Sequence, residues 1–93
     1  MAAKVDTTAI VLSFMKHRRY EMPVRHCLVV DEGKRIELMW RRPDGRDHVV
    51  CMKVEFYDDP ESTGREFAAA ASELWDMHAT LPGDLQHKVR RAK

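Results

Sequence analysis

Histidines, cysteines and carboxylates are where a 93-residue chain would keep its chemistry, and here each kind is dispersed. His17, His26, His48, His78 and His87 fall one to each expected element. His26 precedes Cys27, and His48 lies close before Cys51, which raises the chemistry of a mixed His/Cys zinc site. On the strand assignment below, however, the two cysteines occupy the outer strands of a three-stranded meander, about 9–10 Å apart. That is too far for shared ligation or for a disulfide. Glu55, Asp58, Asp59 and Glu61 form an acidic run that could hold a divalent cation or work as an acid–base pair. They also stand where a helix should begin, and the positive end of its dipole already accounts for them. A glycine-rich phosphate loop, a G-x-S-x-G elbow and an H-E-x-x-H pair are all missing from the sequence. The chain therefore reads as non-enzymatic, with no metal and no cofactor expected, and as working by binding.

Charge is the more informative pattern. The formal net charge is +1, but like signs are grouped. Residues 16–54 carry ten Lys or Arg against six Asp or Glu; residues 55–76 carry one against seven; residues 77–93 carry four against one. Such segregation favours oriented docking on a charged partner over general adhesion to nucleic acid, which is usually met by a strongly basic domain. The candidate partner-binding cations are Arg41, Arg42 and Arg46 around one hairpin tip and Lys16, Arg18 and Arg19 at the end of the first helix. Asp58, Asp59, Glu61 and Glu66 define an acidic helix face. The apolar run from Ala9 to Met15 is too short to span a membrane and is poorly placed for a signal peptide. With no C-x-x-C and only two cysteines, a reduced, cytoplasmic protein is expected.

These residues are positioned by an α+β single domain in the order α-β-β-β-α. The expected elements are a helix over about 6–18, strands over about 25–31, 35–42 and 47–57, a helix over about 60–81 and a short basic tail over 82–93. Asp6 or Thr7 caps the first helix, and Ile10, Val11, Phe14 and Met15 give it an apolar side. In the second strand Ile36, Leu38 and Trp40 share a face. A three-residue Pro43-Asp44-Gly45 loop sets them opposite Met52, Val50 and His48, and sets Arg41 opposite Asp47. The first hairpin leaves two registers open. A Glu32-Gly33-Lys34 loop turns Leu28 and Val30 inward and is preferred, whereas a two-residue Glu32-Gly33 turn brings Cys27 and Val29 inward. The outer face then keeps Met39, Val49, Cys51 and Tyr57, more apolar than a face meant only for water. Asp59-Pro60 opens the second helix, with a competing capping box at Thr63-Gly64-Arg65-Glu66. Phe67, Ala71, Leu74, Met77 and Leu81 form its seam, and Trp75 stands one residue off it. Trp40 and Trp75 are expected as core anchors. The tail is read as one or two helical turns with Leu85 and Val89 on a side.

This element order is similar to that of the double-stranded RNA-binding domain family. The resemblance implies RNA contacts from the first helix, from the loop between the first two strands and from the start of the second helix. On this chain the last site falls on residues 61–66, where Arg65 is the one cation between Glu61 and Glu66. The expected function is thus a small non-catalytic interaction protein, of accessory or inhibitor type, binding a protein or ribonucleoprotein. Its partner surface combines the six cations above with Met39, Val49 and Tyr57. Two alternatives are direct nucleic-acid binding through the hairpin tip and Lys88, Arg90, Arg91 and Lys93, and a functional homodimer formed through the outer sheet face or the edge strands.

Overall fold

Two helices lie on one face of a four-stranded antiparallel sheet, in the α+β arrangement expected of the sequence. The computed structural model describes residues 4–76 and 85–91, the last two as backbone only. The elements are α1 (Thr7–His17), β1 (Val24–Val30), β2 (Arg35–Arg41), β3 (Arg46–Lys53), a 3-10 turn (Val54–Phe56), α2 (Pro60–Trp75) and β4 (Leu85–Arg91). Asp6 caps α1 by accepting from the Ala9 N–H at 3.0 Å. Asp59 caps α2 by accepting from Ser62 N–H at 2.7 Å, with Pro60 in the first turn. The competing capping box is not used, and Thr63 is buried inside the helix. Asp76 closes α2; the remainder of its expected range, with Met77, His78 and Leu81, lies outside the described residues.

The strands run in the order β1-β2-β3-β4. Between β2 and β3 the observed pairs are Ile36 with Met52, Leu38 with Val50, Trp40 with His48 and Arg41 with Asp47, as the Pro43-Asp44-Gly45 loop requires. That loop closes through Gly45 N–H to the Arg42 carbonyl at 2.9 Å, with Gly45 at φ 85°. The first hairpin takes the other of the two registers: Val29 pairs with Ile36 and Cys27 with Leu38. Its loop is four residues, 31–34, and an even loop turns Cys27 and Val29 towards the helices and Leu28 and Val30 away. Asp31 and Glu32 as well as Gly33 sit at positive φ, which a sequence reading grants readily to the glycine alone. Near the start of β1 the register shifts between Val24 and His26, a bulge that leaves Arg25 as the extra residue.

Two expectations about strands are corrected. The third strand was expected to reach Tyr57, but it ends at Lys53. The Val54 N–H still reaches the Lys34 carbonyl at 2.8 Å. Beyond Lys34 the partner strand has turned away, and the chain coils into the 3-10 turn. The basic tail supplies β4, pairing Leu85 with Met52, His87 with Val50 and Val89 with His48. Among the described residues the meander therefore has four strands.

The core lies between the helices and the inner sheet face. Ile10, Phe14, Met22, Ile36, Leu38, Trp40, Val50, Met52 and Phe67 are almost fully buried there, joined by Ala68, Ala71, Leu74 and Leu85. Each large apolar side chain so buried contributes roughly 1.5–3 kcal/mol. The helices approach each other closely where Gly64 meets Ile10 and Ser13.

Candidate functional site

Tyr20 leaves the end of α1 and stacks on Trp75 at the end of α2, their rings 5.2 Å apart and inclined by 16°. The Arg19 guanidinium lies 5.6 Å from the Tyr20 ring centre, and the Arg42 guanidinium, from the β2–β3 hairpin, lies 4.6 Å from that of Trp75. The four side chains form a ladder, Arg19–Tyr20–Trp75–Arg42, drawn from three separate segments: the connection after α1, the end of α2 and the β2–β3 loop. Asp76 ties it together by accepting hydrogen bonds from both Arg19 and the Tyr20 hydroxyl. That bond, with the nearby Asp76 charge, raises the Tyr20 pKa above its ordinary value. Arg42 also donates to the Trp75 carbonyl at 3.3 Å, so it binds both the ring and the helix end. Tyr20, Trp75 and Arg42 are half-buried and Arg19 is exposed. Beside the ladder, His17, Arg19, Arg65, Ala69, Ser72 and Glu73 line a cleft of about 300 Å³. Position alone hid the ladder from the sequence reading: Tyr20 and Trp75 belong to distant segments, although Trp75 lies off the helix seam.

The other expected site residues are dispersed. Arg41 turns to the outer sheet face and makes two hydrogen bonds to Asp47, at 2.7 and 3.1 Å. Arg46 turns back on Asp44 at 2.7 Å. Arg18 donates to the Met22 carbonyl, and Lys16 is exposed. Of the six cations, the ladder unites Arg19 and Arg42. Met39 and Val49 do lie on the outer face, but they are 7% and 0% exposed and cannot supply fresh contact area. Long polar side chains converge over that face: Arg41 on Asp47, His26 on Glu37 at 2.7 Å, and Arg35 reaching Gln86 at 2.8 Å. Tyr57, expected beside them, packs partly against the main core, because the 3-10 turn ends the strand alternation before it.

The acidic residues gather around the start of α2. Asp59 is engaged as the cap, its carboxyl held below the usual range by the Ser62 backbone and hydroxyl bonds. Glu61 accepts from Ser13 Oγ through its carbonyl at 2.8 Å and faces His17 through its carboxylate at 3.8 Å. Asp58 and Glu66 are exposed. Lys88 is exposed on β4. Arg90 and Arg91 belong to the same strand, and Lys93 lies outside the described residues.

One pairing of titratable groups was not foreseen. Strand β4 brings His87 to His48, Nε2 to Nδ1 at 3.0 Å, with the rings stacked 5.2 Å apart. His48 stacks in turn on Trp40 at 5.5 Å, and its buried Nε2 has no hydrogen-bond partner among the described residues. Burial, then the neighbouring His87 and Arg42, pushes the His48 pKa down to about 4; burial also lowers that of His87. Alternation of Leu85, His87 and Val89 with polar residues was the available signal. Among the described residues, no group of three His, Cys, Asp or Glu side chains could hold a metal ion, and no helix is long and apolar enough to cross a membrane. Neither a family model, nor a curated protein, nor a solved structure matches this chain.

Proposed function

We propose that this chain is a small non-catalytic interaction protein, of accessory or inhibitor type, that docks on a protein or ribonucleoprotein through the face carrying Arg19, Tyr20, Trp75 and Arg42. The ladder carries this reading. Tyr, Trp and Arg dominate the energetics of protein interfaces, and here they are preorganised by stacking and by Asp76, which lowers the ordering entropy that binding must overcome. Protein is favoured over bare nucleic acid as the partner because many of the arginines already have acidic partners within the fold: Arg19 with Asp76, Arg35 with Asp31, Arg41 with Asp47, Arg46 with Asp44. Phosphate binding draws its free energy from cations free to release counterions. The site of action is a reducing, cytoplasmic compartment, where Cys27 and Cys51 remain thiols; burial pushes the Cys27 pKa up to about 12, so it is a poor nucleophile there.

The test is capture from native lysate with tagged wild-type chain, with and without nuclease, beside the variants Arg42→Glu and Trp75→Ala. A protein partner that persists after nuclease and is lost with either variant, while circular dichroism stays native, supports the proposal. Recovery of nucleic acid alone, abolished by nuclease, overturns it.

A further inference from the structure

The two edges of the sheet are built differently. Strand β4 has the sequence LQHKVRR, and cations along an edge discourage pairing with another chain. Strand β1, VRHCLVV, is apolar over its second half and, among the described residues, has a strand neighbour, β2, on one side. Leu28 and Val29 on it are 49% and 40% exposed. Helix α1 adds to the same rim. Its Ser13 and His17 face α2, while Thr7, Thr8, Val11 and Leu12 line a groove of about 250 Å³ with Cys27. Leu12 is 64% exposed, and Met15, also exposed, stands four residues on from Val11 along this flank.

We propose that β1 pairs antiparallel with β1 of a second copy of this chain, Leu28 against Leu28, joining the two sheets into one of eight strands. Two observations select this occupant and this register. Hydrogen bonding alternates along an antiparallel strand, and the Arg41 N–H bond to the Pro23 carbonyl commits the odd residues of β2 to β1. Their partners His26, Leu28 and Val30 are thereby committed to β2, which leaves the backbone groups of Cys27 and Val29 facing the open side. Outward groups must meet outward groups, so a self-pairing must set Cys27 against Cys27 or Val29, and never against Leu28. Centring the pair on Leu28 sets Cys27 opposite Val29 and His26 opposite Val30, and brings the bulged Arg25 beside Asp31, the first turn residue after β1, at both ends. The segment is its own complement: cation at one end, anion at the other, and apolar from Cys27 to Val30. Arg25 is exposed, and Asp31 lies by Arg35 at 3.6 Å. On the inner face Val29 of each copy would meet the groove beside Cys27 and Leu12 of the other. The apolar centre of this interface, Cys27 to Val29, shares no residue with the ladder Arg19–Tyr20–Trp75–Arg42.

Light scattering on the full chain at tens of micromolar is expected to give twice the 10.8 kDa chain mass. Arg25→Glu and Asp31→Lys should each weaken the homodimer at least tenfold. Mixed together, they should form a heterodimer seen by native mass spectrometry, because both ends then carry opposite charges again. Leu28→Cys should cross-link across the two-fold under mild oxidation. A monomer mass at all concentrations overturns the proposal. So does a dimer that neither cross-links at position 28 nor prefers the charge-reversed mixture.

Discussion

Gly64 of α2 crosses α1 over Ser13 and the Ile10 carbonyl so closely that a methyl group on Gly64 would stand 2.6 Å from that oxygen and closer still to Ser13 Cβ. The oxygen belongs to helix backbone, which cannot swing aside. Ser13 is held as well, by its 2.8 Å bond to the Glu61 carbonyl. Gly64→Ala should therefore push the helices apart and destabilise the fold by about 2 kcal/mol, although alanine is the better helix former. Urea unfolding checks this; an unchanged or raised midpoint would show that the crossing has room to spare.

The His48–His87 pair should make stability fall on mild acidification. Both histidines are held neutral in the fold, His48 with a pKa of about 4, whereas an unfolded histidine titrates near 6.5. The unfolded chain then binds more protons between those values, so stability is fully present above about pH 6.5 and declines as pH falls towards 4. Asp44, Asp47 and Asp59, with lowered pKa values, act in the same direction but only below the carboxylate range. Urea midpoints at pH 7.5, 6 and 5 measure the slope. His48→Phe keeps a ring on Trp40 and should flatten it over this interval, whatever its effect at pH 7.5.

Asp59 fixes the start of α2 through bonds to the Ser62 N–H and hydroxyl. Asp59→Ala removes both and leaves first-turn N–H groups without this acceptor. The thermal midpoint should drop by several degrees. Asp59→Asn, which keeps one acceptor, should recover most of the loss. Equal midpoints for the two variants would show that the dipole, and not the cap, is what Asp59 serves.

Legibility of the fold followed the strength of local rules. Gly45 in a Pro-Asp-Gly loop dictates an odd loop, and with it every pair from Ile36–Met52 to Arg41–Asp47. The first hairpin resisted because its loop places Asp31 and Glu32, two non-glycine residues, at positive φ. Strand β4 was obscured by its charges, since Lys88, Arg90 and Arg91 suggest a solvated tail more strongly than Leu85, His87 and Val89 suggest a strand. The outer face misled for a different reason: Val49 looked like an exposed patch, and Arg35, Arg41 and His26 cover that face by pairing with Gln86, Asp47 and Glu37. The ladder could not be read at all, because its three segments meet only once the sheet is formed.

Neighbouring arginines at the hairpin should separate stability from binding. Arg41 holds Asp47, which is buried on the outer face and kept ionised by that contact. Arg41→Ala leaves the carboxylate without its partner in a place water reaches poorly, so the fold should weaken. Partner affinity measured well below the melting transition should hold. Arg42 instead lies over Trp75 on the half-exposed ladder. Arg42→Ala should lower the thermal midpoint by only a few degrees, for its contact with the Trp75 ring and carbonyl, and reduce affinity for the captured partner by ten- to thirtyfold, the loss typical of an arginine at an interface centre. Arg42→Lys should restore little of it, because a lysine lacks the planar face that stacks on indole. If Arg41→Ala impaired binding in the folded protein and Arg42→Ala did not, the docking face would be the outer sheet surface and the ladder would be only a clasp between helix ends.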